Sequence, residues 1–344
     1  MTIQRQRRLC RLPLLLMAAS WLLAACGSCR SKDGQVVVYT SVDQVFSEPI
    51  FRHCEQAAGL SVRGLFDTEE TKSTGVLNRL IAEADNPQAD VFWSGDPVRP
   101  FVLIDRGLVE PYRSPAARDL PPGFRADDGA WTGFAARARV LLVNHELVPD
   151  DATPRSIRDL ADPRWKGKVA IASPLFGTTT MHVAALFSAW GEDRAKAFLD
   201  QLRANDVRVA SSNGEVKRLV AAGEVAVGLT DTDDANEALG AGAPVRVVYP
   251  DQGGIGTLVM PTVAVLIKGA PHPDAGKKLI DCLLSAEVER RMAESGAHMP
   301  LRAGVSVPAG VRPVSSLEPM AIDYQAVAQT MERIQPWLRE WVGL

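Results

Sequence analysis

The densest chemistry in the sequence is Asp231-Thr232-Asp233-Asp234, which sets three carboxylates within four residues. One carboxylate ahead of a helix contributes about 1 kcal/mol as an N-cap, whereas two at about 4 Å repel by about 4 kcal/mol at an effective dielectric near 20. The group therefore exceeds what capping needs. A bound cation would relieve the repulsion, and so would a protein Arg or Lys or plain solvent; the sequence leaves all three open. Gly177-Thr178-Thr179-Thr180 offers the opposite chemistry, because backbone N–H groups at a helix start, joined by hydroxyls, cradle an oxyanion or phosphate. It is not a P-loop, since the GxxxxGK[ST] spacing is missing. Four further polar clusters are Thr40-Ser41-Val42-Asp43, residues 67–74 including Glu70, Ser94-Gly95-Asp96 and Ser211-Ser212-Asn213. Helix capping accounts for any one of them taken singly. Trp93, ending an apolar run, either lines a crevice or packs in the core. Arg137 and Arg139 alternate with apolar residues and present cations either to a crevice or to an edge-strand surface.

What the clusters share is position: each falls where a strand pattern hands over to a helix or loop. Strand-like runs at 35–39, 61–66 and 89–93 alternate with helical patterns at 44–58, 73–84 and 98–107. Residues 111–128 lose periodicity and gain Pro, Gly and Asp, as an irregular connection does. The apolar run 138–144 could carry the chain into a second unit. There, strands at 168–173, 207–210, 225–230 and 245–249 alternate with helices at 178–190, 194–203, 215–222 and 234–239. A return strand at 257–267, one long amphipathic helix at 273–294 and a final helix at 324–342 complete the pattern. The β-α-β order implies mostly parallel sheets with right-handed crossovers, hence an α/β fold of two doubly wound lobes. In such sheets ligands bind beyond the carboxyl ends of the strands, so two facing edges would form a cleft.

At 344 residues, with 46% hydrophobic and 23% charged content, the chain can bury two cores of roughly 150 residues each. Residues 1–25 carry Arg5, Arg7, Arg8 and Arg11, then an apolar run and no acidic residue, which reads as a signal peptide too short to span a membrane comfortably. It ends Leu22-Leu23-Ala24-Ala25-Cys26-Gly27, which resembles the lipobox of bacterial lipoproteins. That resemblance implies lipidation of Cys26 and membrane attachment through the lipid, with 26–34 as a tether. Losing the four arginines takes the formal net charge from -3 to -7, so no basic nucleic-acid footprint is present. Beyond Cys26, an odd set remains: Cys29, Cys54 and Cys282. Cys54 and Cys282 each sit in a helical apolar pattern and are expected as separate buried core residues.

Val36-Val37-Val38-Tyr39-Thr40-Ser41-Val42-Asp43, Ala89-Asp90-Val91-Phe92-Trp93, Gly133-Phe134-Ala135-Ala136-Arg137-Ala138-Arg139-Val140 and Ala221-Ala222-Gly223-Glu224-Val225-Ala226-Val227-Gly228-Leu229 resemble the periplasmic binding proteins that include ferric-ion receptors and relatives for other small solutes. The likeness extends over nearly the whole mature chain. It implies a type II periplasmic binding protein fold, with residues 35–138 and 257–300 in an N-terminal lobe and 139–256 and 301–344 in a C-terminal lobe. It also implies a hinge, an interlobe cleft and a monomer that serves the permease subunits of an ABC importer in the periplasm. Ferric-binding members place a histidine, a glutamate and a tyrosine pair where this chain has Asp43, Gly95 or Asp96, and Asp233 with Asp234. The tyrosine pair is therefore absent. An oxygen-rich cleft remains, suited to a hard metal cation such as Fe3+ or to an ammonium-bearing solute. Asp43, Asp233 and Asp234 are the candidate metal ligands. The family's synergistic anion would fall to Gly177, Thr178, Thr179 and Asn213. The full expected contact set adds Thr40, Ser41, Glu70, Trp93, Ser94, Arg139 and Asp231.

No resident cofactor is expected. An enzyme needs a nucleophile with its base or a metal triad, but the five histidines are scattered and no HExxH or GxSxG pattern occurs. A receptor for ferric iron or another hard cation, with or without an anion, is the leading expectation. A receptor for an aminophosphonate or polyamine is the alternative, and a two-lobed enzyme the second.

Overall fold

The structure, a computed structural model, describes residues 34–67 and 75–344. The leader, Cys26 with its tether as far as residue 33, Cys29 and Glu70 lie outside the described residues. In chain order the elements are β1 (Gln35–Thr40), α1 (Gln44–Ala58), β2 (Ser61–Phe66), α2 (Gly75–Ala82), β3 (Val91–Ser94), α3 (Arg99–Asp105), β4 (Val109–Glu110) and β5 (Thr132–Asn144). Then come β6 (Val169–Ala172), α4 (Gly177–Trp190), α5 (Glu192–Ala204), β7 (Arg208–Ala210), α6 (Asn213–Ala221), β8 (Val227–Asp231), α7 (Thr232–Gly240) and β9 (Val245–Val248). The chain ends with β10 (Val259–Ile267), α8 (Pro273–Leu283), α9 (Ala286–Gly296) and α10 (Tyr324–Val342).

Two parallel three-stranded cores, β2-β1-β3 and β7-β6-β8, are joined through two antiparallel strands, β10 and β5. This is the expected pair of doubly wound lobes. The composition of the joining strands explains their place. Every residue of β10 is buried, and so is every residue of β5 except Arg137, as near-continuous apolar runs require when both faces of a strand are covered. β5 changes partner midway: Ala138 faces Val259 of β10, and the next residue, Arg139, faces Asp231 of β8. The crossing strand thus begins six residues before the apolar run at 138 that marked it in the sequence, because Phe134 and its small neighbours are as buried as the later valines and leucines.

Just before the crossing, the register of β5 against β10 shifts at Pro261/Thr262 and Ala135 takes a left-handed φ of 43°, the signature of a bulge that bends its strand. Gly133 permits it, since a Cβ there would lie 2.8 Å from the Pro261 side chain. The amide that the bulge frees is taken by Glu289 of α9, which is wholly buried. It accepts from Ala135 N at 3.2 Å, Leu301 N at 2.9 Å and Arg302 Nη1 at 3.2 Å. On the other side Tyr324, opening α10, donates to the Val259 carbonyl at 2.8 Å and packs against the rings of Trp131 and Phe124. Further along, α10 lies on α4.

Two expectations are overturned. The long helix at 273–294 is two helices, because Leu284 ends α8 and the Ser285 hydroxyl caps α9 by accepting from Val288 N at 3.2 Å. Cys54 and Cys282 are not separate thiols but a disulfide linking α1 to α8. The apolar periodicity that buries each cysteine also packs the two helices together, bringing their Cα atoms to 5.8 Å. The irregular stretch after β4 holds two short 3-10 turns, Pro115–Ala117 and Pro122–Phe124.

Closing a loop across a sequence separation of 228 residues removes much unfolded-state entropy. Replacing both cysteines by alanine is expected to cost about 2–4 kcal/mol in urea unfolding. A midpoint that does not move would mean that the cross-link is not formed in solution.

Candidate functional site

One cleft of about 920 Å³ lies between the lobes, and the strand ends explain its lining. Ser41 follows β1, Gly95 and Asp96 follow β3, Ser173 follows β6, Ser211 follows β7 and Asp231 ends β8. Each lobe therefore aims the carboxyl edge of its parallel strands into the same gap. On the first-lobe side, Ser41 Oγ accepts from Gly95 N at 2.9 Å, and Asp96 Oδ1 accepts from Val98 N and Arg99 N at 3.0 Å each. The first bond fixes the two rim loops against one another, and the Asp96 bonds order the loop after β3.

The second-lobe side is organised by Arg139. Its side chain is fully buried and donates to Asp231 Oδ1 at 2.5 Å, Asn213 Oδ1 at 3.0 Å, Thr178 Oγ1 at 3.1 Å and Thr179 Oγ1 at 3.2 Å. Thr178 Oγ1 in turn donates to Asp231 Oδ2 at 2.9 Å and accepts from Asn213 Nδ2 at 2.9 Å. Arg139 thus ties the starts of α4 and α6 to the end of β8. Two residues earlier on the same face of β5, Arg137 reaches the cleft wall. Its Nη1 lies 3.2 Å from Asp233 Oδ2 and 3.4 Å from Asp231 Oδ2, and its Nη2 donates to the Gly95 carbonyl at 3.1 Å. One guanidinium therefore touches both rims. The positive partners that Asp231 and Asp233 call for are these two arginines of the protein itself, and Lys217 lies near Asp234.

The titrating groups follow from burial and neighbours. Burial alone would raise the Asp233 carboxyl, but Arg137 holds it below the usual carboxylate range. Burial, with Asp233 and Asp231 adding repulsion, pushes Asp234 up to about 7, although Lys217 lies 3.8 Å away and Thr230 donates to it at 3.2 Å. His298, behind Arg137 and edge-on to Phe46, is pushed down to about 4 by burial and by that guanidinium, so its imidazole is neutral at pH 7. Among the described residues, no three His, Cys, Asp or Glu side chains gather in a way that could hold a metal ion.

Of the residues expected at the site, Ser41, Asp43, Gly177, Thr178, Asn213, Asp231, Asp233 and Asp234 line the cleft. Five do not. Trp93 is fully buried between Phe51 and Phe134; Thr40 turns its hydroxyl back to Val42 N and Ser94 turns its own to Asp96 N; Arg139 and Thr179 stand behind the wall and brace it. The wall also contains Arg137, Arg99, His298 and Phe176, outside the expected contact set. Arg137 shares the alternation that drew attention to Arg139. Nothing in the sequence marks His298, which comes to the cleft from a turn after α9. The first N–H groups of α4 have no partner within the helix, and Gly177 and Thr178 of that first turn line the cleft with Ser173 and Ser211.

Residues 86–322 match the family of bacterial extracellular solute-binding proteins. Among curated relatives, a putative 2-aminoethylphosphonate-binding periplasmic protein of Salmonella paratyphi A is 28% identical over 83% of this chain and 79% of its own. Iron uptake protein A1 of Synechocystis is 28% identical over 84% of each. Among solved structures, iron-bound HitA from Pseudomonas aeruginosa superposes with a TM-score of 0.78 at 22% identity, over 90% of this chain and all of that one. At that identity the likeness shows the fold, two α/β lobes about a cleft.

Two measurements check the electrostatics. Arg139→Met leaves Asp231 buried without its main counter-charge and is expected to cost about 3–5 kcal/mol in denaturant unfolding, with much of the loss recovered when Asp231→Leu is added. Asp234 titrates near 3.8 when unfolded and about 7 when folded. It therefore favours the fold fully below pH 3.8, and that contribution is lost as pH rises through 7. Asp234→Asn is expected to flatten this part of the stability profile; an unchanged slope would show that Asp234 does not carry it.

Proposed function

The chain belongs to the family of bacterial extracellular solute-binding proteins, and from that premise we infer that it captures a small ligand carrying anionic oxygens in the cleft between its lobes. It is the periplasmic solute-binding component of an ABC importer, and its family is one of receptors that work with permease subunits, not of enzymes. One observation carries the ligand class: both parallel-strand edges open onto one gap, with free helix N–H groups and hydroxyls on one side and a guanidinium shared by the two rims. A ligand that bridges the rims stabilises the closed form by its differential affinity, and the permease reads that form. We place the protein outside the cytoplasmic membrane, tethered by a lipid on Cys26.

In the first reading the ligand is ferric ion, or another hard cation, carried together with a synergistic anion. The relative named as an iron uptake protein supports it, as does the oxygen-rich lining. Asp43 and Asp233 would then close on the cation as the lobes approach. A specific observation favours a second reading, a small organic solute such as 2-aminoethylphosphonate. None of the four tyrosines lines the cleft, and Asp233 already faces Arg137. A phosphonate at the start of α4 with its ammonium among Asp43 and Asp234 meets the same lining, and a relative carries that ligand in its name.

Calorimetry separates the readings. Ferric ion that binds one equivalent only when carbonate, phosphate or citrate is present supports the first. Saturable, metal-free binding of 2-aminoethylphosphonate supports the second. No heat from either set would remove the oxyanion ligand. In both readings the Asp233→Asn, Asp234→Asn double variant is expected to weaken binding at least about tenfold, the effect of some 1.4 kcal/mol, and an unchanged affinity would take the acidic wall out of the site.

A further inference from the structure

The cleft is polar at its centre but not throughout. Val45, at the start of α1, is 70% exposed, and Phe176, just before α4, is 72% exposed. Apart from the C-terminal Leu344, these are the two most exposed large apolar side chains among the described residues, and they line the same cleft from opposite lobes. Neither stands alone. Phe46 lies beside Val45, while Met181 of α4 and Met331 of α10 continue the apolar lining on the Phe176 side. The sequence fixes their relation to the polar residues: Val45 is two residues beyond Asp43, and Phe176 is two residues before Thr178.

Resting on the reading of the cleft as a receptor for an oxyanion-bearing ligand, we propose that Val45, Phe46, Phe176, Met181 and Met331 form an apolar subsite that selects an organic phosphonate bearing an alkyl or aryl substituent. Three observations carry the assignment. A cleft of about 920 Å³ has the capacity of an organic molecule, far above what a bare ion fills. Apolar surface facing water on both lobes gains by burial only if something apolar comes between or against it. Met181 is 1% exposed, so the apolar lining reaches inward from the exposed Phe176 to a packed side chain, as a pocket does and a surface lip does not. Methionine suits such a wall, because its unbranched, polarizable side chain adapts to the shape of an alkyl or aryl group. The phosphonate oxygens would meet the N–H groups at the start of α4, and the substituent would extend along the Phe176 side of that helix.

The experiment is calorimetric titration of the full chain with methylphosphonate and benzylphosphonate. The wild-type protein is expected to bind benzylphosphonate at least about tenfold more tightly, as burying a side-chain-sized apolar group implies. The ratio should fall toward one in Phe176→Ser and shrink in Val45→Ser, with thermal melts that show both variants folded. Equal weakening of the two probes by Phe176→Ser, or no wild-type preference, would overturn the subsite. The failures are distinguishable: methylphosphonate binding without an aryl gain sinks the apolar subsite and leaves the oxyanion reading standing, whereas no binding of either probe sinks the subsite and counts against the phosphonate reading as well.

Discussion

A buried arginine at the point where β5 changes partners holds the molecule's functional half together. Arg139 has no exposed surface, and an ion so placed is tolerable only with its charge and most of its donors met. Asp231 supplies the charge, and Thr178, Thr179, Asn213 and the Leu229 carbonyl accept from the two terminal nitrogens, leaving Nε–H without a partner among the described residues. These partners come from β8, α4 and α6, whose ends are also the cleft wall. The need to satisfy one guanidinium therefore ties together the starts of α4 and α6 and the end of β8. Arg137, two residues away, meets the surface of the same wall and the opposite rim, so the crossing strand supplies both the hidden brace and the exposed contact.

The way the lobes are joined follows from the same strands. β5 and β10 run through the middle of a single sheet path, with a bulge at Ala135 just short of the crossing. Glu289 grips the freed amide from one side, and Tyr324 holds the β10 carbonyl from the other. A hinge between the lobes would have to bend in these two strands, between those two fixed points. α10 begins at that joint and then lies along α4, whose first turn faces the ligand gap.

Much of this was legible in the residues. Alternating strand and helix patterns gave the doubly wound lobes because parallel strands and amphipathic helices leave strong periodicity, as in 35–39 and 44–58. Clusters at strand ends pointed to the cleft because chain direction alone decides which edge of a parallel sheet carries them. What escaped depends on contacts between distant segments. The pairing of Cys54 with Cys282 needs α1 packed on α8, and the break at Ser285 lies inside an unbroken apolar pattern whose cap shows only in three dimensions. Arg137 and Arg139 look alike in sequence, yet one residue of rise past the crossing buries the second and leaves the first at the wall. His298 arrives from a turn that no periodicity marks.

The link between α1 and α8 reaches beyond stability. α1 begins beside Asp43 and Val45 on the first rim and is riveted near its far end by Cys54. Ordering a binding surface costs conformational entropy whenever it happens, and a surface ordered in advance spares the ligand that expense. The rivet on α1 forms when the two thiols are oxidised, a step that belongs to the compartment outside the cytoplasm. The same chain held in a reducing cytosol would lack this covalent tie between the helix that begins at the first rim and its neighbour.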